Sequence, residues 1–250
     1  MEASGKKFTI GYQNRFREDA QTLHASCEPE NSERFTLRSS RAAPPRRPTW
    51  ACSEQGAAGG GPLIDIGTHS LDLTLWMMNN YEPASVSGQV FYKLGRMKEG
   101  PAGNVFGPWD PETFEVEDSA FGLVKMKNGA TIFLESSWAL NILTPLEAST
   151  TLCGTKAGAE IHHGGGYQGD ELIYNTVEHG QLMEKRLSPK ASVDFAAGGA
   201  QAEAVREQDQ WLDAILNDGE PLVKPEQAFV ITQILDGIYR SAELNKEILF

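Results

Sequence analysis

Cysteine is scarce. There are three, Cys27, Cys52 and Cys153, and no two fall at CxxC spacing. An odd, scattered set argues against a disulfide framework or a cysteine-built zinc site and fits a reducing compartment. Long apolar runs are lacking too. No stretch reaches the ~18 residues that a bilayer-spanning helix needs. The first residues do not read as a secretory leader. The cytoplasm is the expected location. Positive charge is in deficit, with 22 Lys and Arg against 34 Asp and Glu, a net charge of −12. That balance argues against a nucleic-acid or anionic-membrane face. The basic residues that exist cluster early, at Arg34, Arg38, Arg41, Arg46 and Arg47, and read as a solvated loop.

Several catalytic signatures are also wanting. There is no Gly-x-Ser-x-Gly elbow for a serine nucleophile. Gly59-Gly60-Gly61 lacks dinucleotide-loop spacing and follows no clear strand. Gly164-Gly165-Gly166 reads as a connection between strands. His162, His163 and His179 are not tied to His69 by any ligand spacing, and neighbours on a strand face opposite ways. No metal is expected.

What is present is a chain of 250 residues, enough for one large domain. Residues 7–12 read as a strand, and residues 17–27 as a helix. Residues 28–58 hold little that is regular beyond a possible strand at 35–37. A helix follows the glycines at 59–61 and ends near Asn79-Asn80. A strand is expected at 83–92, then a loop at 95–113 whose length suggests a lid or a partner contact. The clearest hairpin pairs 117–126 with 130–138 around Asn128-Gly129. More strands fall at 148–153, 159–162, 171–175 and 181–187. Two helices, 201–216 and 225–244, close the chain, with Ile248-Leu249-Phe250 as an edge strand. Strands run consecutively here, so the fold class is α+β: a large, mainly antiparallel open sheet with helices on one face. Apolar residues on both faces of the strand at 132–134 suggest a homodimer packed sheet to sheet.

The chemistry concentrates in one helix. Asp65, His69, Asp72 and Trp76 share a stripe at about 100° per residue. A carboxylate and an imidazole four residues apart can converge on one ligand or on each other. Such a histidine can accept a proton from an alcohol. A buried polar pair, or an aspartate capping backbone, remains open from spacing alone.

The run Gly59-Gly60-Gly61-Pro62-Leu63-Ile64-Asp65-Ile66-Gly67-Thr68-His69, with Leu71-Asp72 after it, resembles the signature of the glucose–fructose oxidoreductase / inositol dehydrogenase family, Gfo/Idh/MocA. Gly11-Tyr12-Gln13-Asn14-Arg15-Phe16 is similar to the start of that family's second domain. Glu135-Ser136-Ser137-Trp138, Gly154-Thr155-Lys156-Ala157-Gly158 and Ile238-Tyr239-Arg240-Ser241-Ala242-Glu243 also fit its pattern. The resemblance implies an NAD(P)-dependent oxidoreductase of sugars or polyols. It makes His69 the proton-transferring histidine and Asp65 its orienting or hydroxyl-holding carboxylate. It puts Gln13, Asn14, Arg15, Asp72 and Trp138 at substrate contacts. The family's first domain carries a glycine fingerprint in a strand–helix unit and a Glu-Lys-Pro lysine segment. Neither has a counterpart here. Residues 1–250 are therefore expected to be a single substrate-binding and oligomerisation domain without the dinucleotide-binding domain, inactive alone and holding no cofactor tightly. The alternatives are a stand-alone module binding a sugar or a protein, or a metal-dependent hydrolase.

Overall fold

The computed structural model describes residues 5–27, 34–36, 59–98, 110–140, 149–162, 171–187 and 200–250. A 3-10 turn, Gln13–Phe16, leads into helix α1, Glu18–Ser26. Strand β1 is Arg34–Thr36. A π-helical turn, Leu63–Gly67, runs straight into α2, Thr68–Met78. Strands β2 (Pro83–Phe91), β3 (Ser119–Met126), β4 (Thr131–Ser137), β5 (Ser149–Cys153), β6 (Ala157–His162), β7 (Glu171–Glu178) and β8 (Gln181–Leu187) follow. Helices α3 (Ala200–Leu216) and α4 (Pro225–Leu244) precede a short β9, Ile248–Leu249.

Every strand pair is antiparallel. The hydrogen bonding divides the strands into two sheets, ordered β1-β5-β6-β7-β8 and β4-β3-β2-β9. Strand β1 is the seam, because it pairs with β5 and also runs beside β4. The α+β class with an antiparallel sheet and packed helices is therefore present, and its hydrogen bonding is interrupted once. The Asn128-Gly129 hairpin closes as expected: the Met126 N–H donates to the Ala130 carbonyl at 2.8 Å, and only Gly129 takes a positive φ, +92°.

One expected strand is missing. Residues 7–12 are irregular. Lys7 Nζ donates to the Gly219 carbonyl and Thr9 Oγ1 to the Val223 carbonyl, so this stretch follows the α3–α4 connection through side chains. The strand expected at 35–37 is described at 34–36. The rest of 28–58 lies outside the described residues, as do 99–109 of the expected long loop and Gly164-Gly165-Gly166. The described flanks of that loop are pinned together: Arg96 Nε donates to the Phe114 carbonyl, and Lys98 pairs with Glu112.

The core lies where the helices cover the sheets. Helix α4 seats Ile234 and Ile238 over Val86, Ala120, Val124, Ile132 and Leu134. The paired Gly88 and Gly122 admit it, since a Cβ on either would come within 2.6 Å of Ile238. Helix α1 places Ala20 and Leu23 over β6 and β7, and α2 buries Leu71, Leu73, Leu75 and Met78 beside it. The opposite face of β2–β4 stays open, with Phe133 40% and Phe91 37% exposed. Among the described residues, no helix is long and apolar enough to cross a membrane.

Candidate functional site

The turn Gly59-Gly60-Gly61-Pro62 has no side chain able to accept a hydrogen bond, yet it opens a helix whose first N–H groups need acceptors. The acceptor comes from elsewhere in the chain. Glu117, 1% exposed just before β3, takes the Gly61 N–H on Oε2 at 2.8 Å and the Leu63 N–H on Oε1 at 3.0 Å. The Tyr239 hydroxyl from α4 donates to the same Oε1 at 2.9 Å. The glycines are required by this approach. A Cβ at Gly61 would stand 2.0 Å from the Glu117 carbonyl oxygen, and one at Gly60 2.3 Å from the Tyr239 hydroxyl. Burial pushes the Glu117 carboxyl above its ordinary range, against the pull of those bonds. It likewise raises the Tyr239 phenol, helped by the Glu117 charge. A cleft of about 560 Å³ opens beside the pair, lined also by Gln89, Tyr92 and Glu243.

Three residues later the π-helical turn presents Asp65, which is exposed. Its Oδ2 accepts the Trp138 indole N–H at 2.9 Å. Trp138 follows β4 and is 3% exposed, packed with Ile66, Val116 and Phe114. The Phe114 and Trp138 rings meet edge to face at 6.3 Å. The indole therefore serves Asp65 as a hydrogen-bond partner and offers little free face of its own. His69 is half-exposed near the start of α2. Residues of an i→i+5 turn sweep a smaller angle than 100° each. Asp65 therefore lags the stripe expected from α-helical spacing, and that stripe splits. Asp65 and His69 reach the surface, and Asp72 and Trp76 turn inward.

Asp72 is fully buried, as is Arg15. Arg15 Nε donates to both Asp72 oxygens at 3.0 Å, and Nη2 donates to Oδ1 at 2.5 Å. Its remaining donors reach Gln227 Oε1, the Leu222 carbonyl and the Tyr81 hydroxyl. The guanidinium carbon lies 5.6 Å from the Trp76 ring centre and 5.8 Å from that of Tyr12. His24 stacks on the other indole partner, Trp76, at 3.9 Å. Burial pushes the Asp72 carboxyl up to about 6 against the pull of Arg15, and Arg15 is held more firmly protonated by that carboxylate. Burial and the Arg15 charge both lower His24. Arg15 and Asp72, expected among the substrate contacts, thus sit in the core with their polar atoms committed to one another. Gln13 and Asn14, in the same 3-10 turn, remain half-exposed, and that turn packs against both α2 and α3.

The structure so leaves Asp65 and His69 on one short stretch of surface, with the buried Trp138 bonded to Asp65 from beneath and Gln13 and Asn14 on a turn braced against the same helix. Glu117 and Tyr239 were not found by sequence reasoning. Their role depends on contacts 54 to 122 residues apart in the chain, which no local spacing announces. Two acids of α3 were also missed. Glu203 is 7% exposed and its Oε2 has no hydrogen-bond partner, and the same holds for Glu207 Oε1. A Cβ on Gly11 would meet Glu207 Oε1 at 3.8 Å, so this face of α3 is turned toward the Gly11–Phe16 stretch. The Gly61 and Leu63 N–H groups are consumed by Glu117, so this glycine turn does not fit a dinucleotide phosphate. Among the described residues, no group of three His, Cys, Asp or Glu could hold a metal ion.

Residues 34–248 match the oxidoreductase family, C-terminal alpha/beta domain (GFO_IDH_MocA_C). Over 248 residues the chain is 30% identical to D-glucoside 3-dehydrogenase of Escherichia coli (strain K12), covering 98% of this chain and 65% of that protein. Among solved structures, aldose-aldose oxidoreductase from Caulobacter crescentus complexed with glycerol superposes with a TM-score of 0.72 at 21% identity, over 100% of this chain and 65% of that one. An oxidoreductase from Agrobacterium radiobacter in complex with NAD+, L-tartaric acid and magnesium gives 0.65 at 17% identity, over 99% and 66%. At those identities the likeness is one of fold. The chain spans 65% of the length of the curated relative it matches.

Proposed function

Because the chain belongs to the oxidoreductase family defined by this C-terminal alpha/beta domain, we propose that it is the substrate-binding and oligomerisation half of an NAD(P)-dependent sugar or polyol dehydrogenase. Little or no turnover is expected of the chain alone. The observation that carries this reading is the Asp65–His69 pair on a helix start fixed by buried groups, with Asp65 held by Trp138. Substrate-hydroxyl oxidation needs a base at the O–H and an acceptor for the hydride from the same carbon. His69 takes the hydroxyl proton. Asp65 accepts a second hydrogen bond from the sugar on the carboxylate oxygen that Trp138 leaves free. Gln13 and Asn14 donate to and accept from neighbouring hydroxyls. Arg15 and Asp72 hold the turn and the helix at a fixed spacing without touching substrate. The hydride acceptor and its dinucleotide pocket lie outside the described residues of this chain.

A second copy of the chain covers the open β2–β4 face, where Phe121 and Phe133 line a shallow groove with Leu123 and Gln89, and Phe91 meets Phe121 edge to face. The work is cytoplasmic, in keeping with the free Cys27 and Cys153 among the described residues. The test is an absorbance assay at 340 nm with NAD, NADP and a panel of glucosides and polyols. The chain alone is expected to show no turnover above background. Measurable turnover would overturn the reading of an incomplete enzyme.

A further inference from the structure

The glycine turn cannot cap the helix it opens, and the group that does so comes from the residues just before β3. We propose that Glu117 is a positioning residue: its carboxylate fixes where the Asp65–His69 helix begins and so sets the direction of both side chains. The inference rests on the proton-handling role given to those two residues and adds the group that aims them.

Three observations support it. First, both carboxylate oxygens are spent on the helix start: Gly61 N–H at 2.8 Å, and Leu63 N–H at 3.0 Å beside the Tyr239 hydroxyl at 2.9 Å. A carboxylate facing exposed N–H groups at a helix N-terminus is also favoured by the helix dipole. Second, the turn has no slack. The Ile64 and Asp65 N–H groups both donate to the Gly61 carbonyl, at 3.1 and 3.0 Å. Holding Gly61 therefore holds Asp65 one turn on. Third, the next residue fixes the partner of Asp65. The Asp118 carbonyl accepts the Trp138 N–H and the Ser137 hydroxyl, each at 3.0 Å. The Asp118 carboxylate accepts the Lys93 and Gly95 N–H groups. Two adjacent residues just before β3 thus hold both ends of the Asp65–Trp138 hydrogen bond, Glu117 through the helix and Asp118 through the backbone of the indole residue. The Glu117 carboxylate grips the residues that lead into Asp65.

The test uses the isolated chain and needs no sugar. In the ¹H–¹⁵N spectrum, the Trp138 indole N–H is assigned with Trp138→Phe, and its hydrogen-bonded shift is calibrated with Asp65→Ala, which leaves it no carboxylate to donate to. Glu117→Gln keeps the shape and replaces one acceptor with a donor facing an N–H group. In the folded variant the indole signal is expected to move toward its Asp65→Ala position, and the His69 ring titration is expected to shift its midpoint. A folded Glu117→Gln that melts earlier but leaves both signals unmoved would overturn the proposal, since Glu117 would then be a cap and nothing more. If that variant does not fold, Tyr239→Phe removes one bond to Oε1 and leaves the carboxylate. A smaller indole movement in the same direction is expected, and none would overturn the proposal. Failure of sugar binding in the unaltered chain would count against the proposed function and leave these signals unaffected.

Discussion

Replacing Asp72 with alanine lowers the unfolding free energy by about 3–5 kcal/mol, the range for stripping one partner from a buried ion pair. The size follows from where Arg15 is left. Its guanidinium is fully buried and cannot neutralise. The other acceptors around it, Gln227, Leu222 and Tyr81, are neutral. Removing Asp72 therefore leaves a buried charge with dipoles alone to satisfy it. Urea unfolding followed by circular dichroism measures the loss, read as a lower midpoint at an unchanged m-value. The double variant Arg15→Met/Asp72→Leu separates the pair's net worth from the cost of orphaning its partner. It is expected to recover most of the single variant's loss, because a well-packed apolar pair often replaces a buried ion pair at little cost. The pair's value to function is geometric. Arg15 belongs to the turn that carries Gln13 and Asn14, and Asp72 lies less than one helical turn beyond His69. The double variant can therefore be stable and still bind sugar poorly.

The second large effect concerns His69. Joined in frame to a dinucleotide-binding domain of the kind the family resemblance implies, the chain is expected to oxidise a glucoside or polyol. His69→Ala in that fusion lowers kcat by about 10²–10⁴-fold, the usual contribution of a positioned proton acceptor. Sugar affinity falls less, because Asp65, Gln13 and Asn14 remain. Asp65→Asn shows the opposite split. It keeps the histidine and weakens a substrate contact, so KM rises more than kcat falls. A His69→Ala fusion with unchanged kcat would remove the histidine from the chemistry, whatever the family resemblance implies.

Legibility in the sequence tracked the range of the interaction. The Asn128-Gly129 hairpin and helices α3 and α4 are written in local turn chemistry and apolar periodicity, and they stand where expected. The Asp65–His69 spacing pointed to the helix, and the family resemblance supplied its role. The stripe that joined them to Asp72 and Trp76 assumed uniform α-helical turns, and a π-helical turn at Leu63–Gly67 undoes that assumption. Composition alone does not reveal such a turn. The resemblance put Arg15 and Asp72 at substrate contacts, and nothing local indicates that they pair with each other across 57 residues. Glu117 was invisible for the same reason. The glycines at 60 and 61, poor as a dinucleotide loop, find their explanation in the space that Glu117 and Tyr239 occupy. The stretch at 7–12 had the composition of a strand, but Lys7 and Thr9 bind the α3–α4 connection through their side chains.

The account's central claim is that this chain holds the sugar at Asp65 and His69. Isothermal titration of the folded chain with glucosides and polyols tests it most directly. The expected result is saturable binding of at least one of these ligands, weakened at least tenfold by Asp65→Asn, a loss of about 1.4 kcal/mol. Saturable binding that Asp65→Asn and His69→Ala leave unchanged would contradict the claim, as would no binding at all by the folded chain.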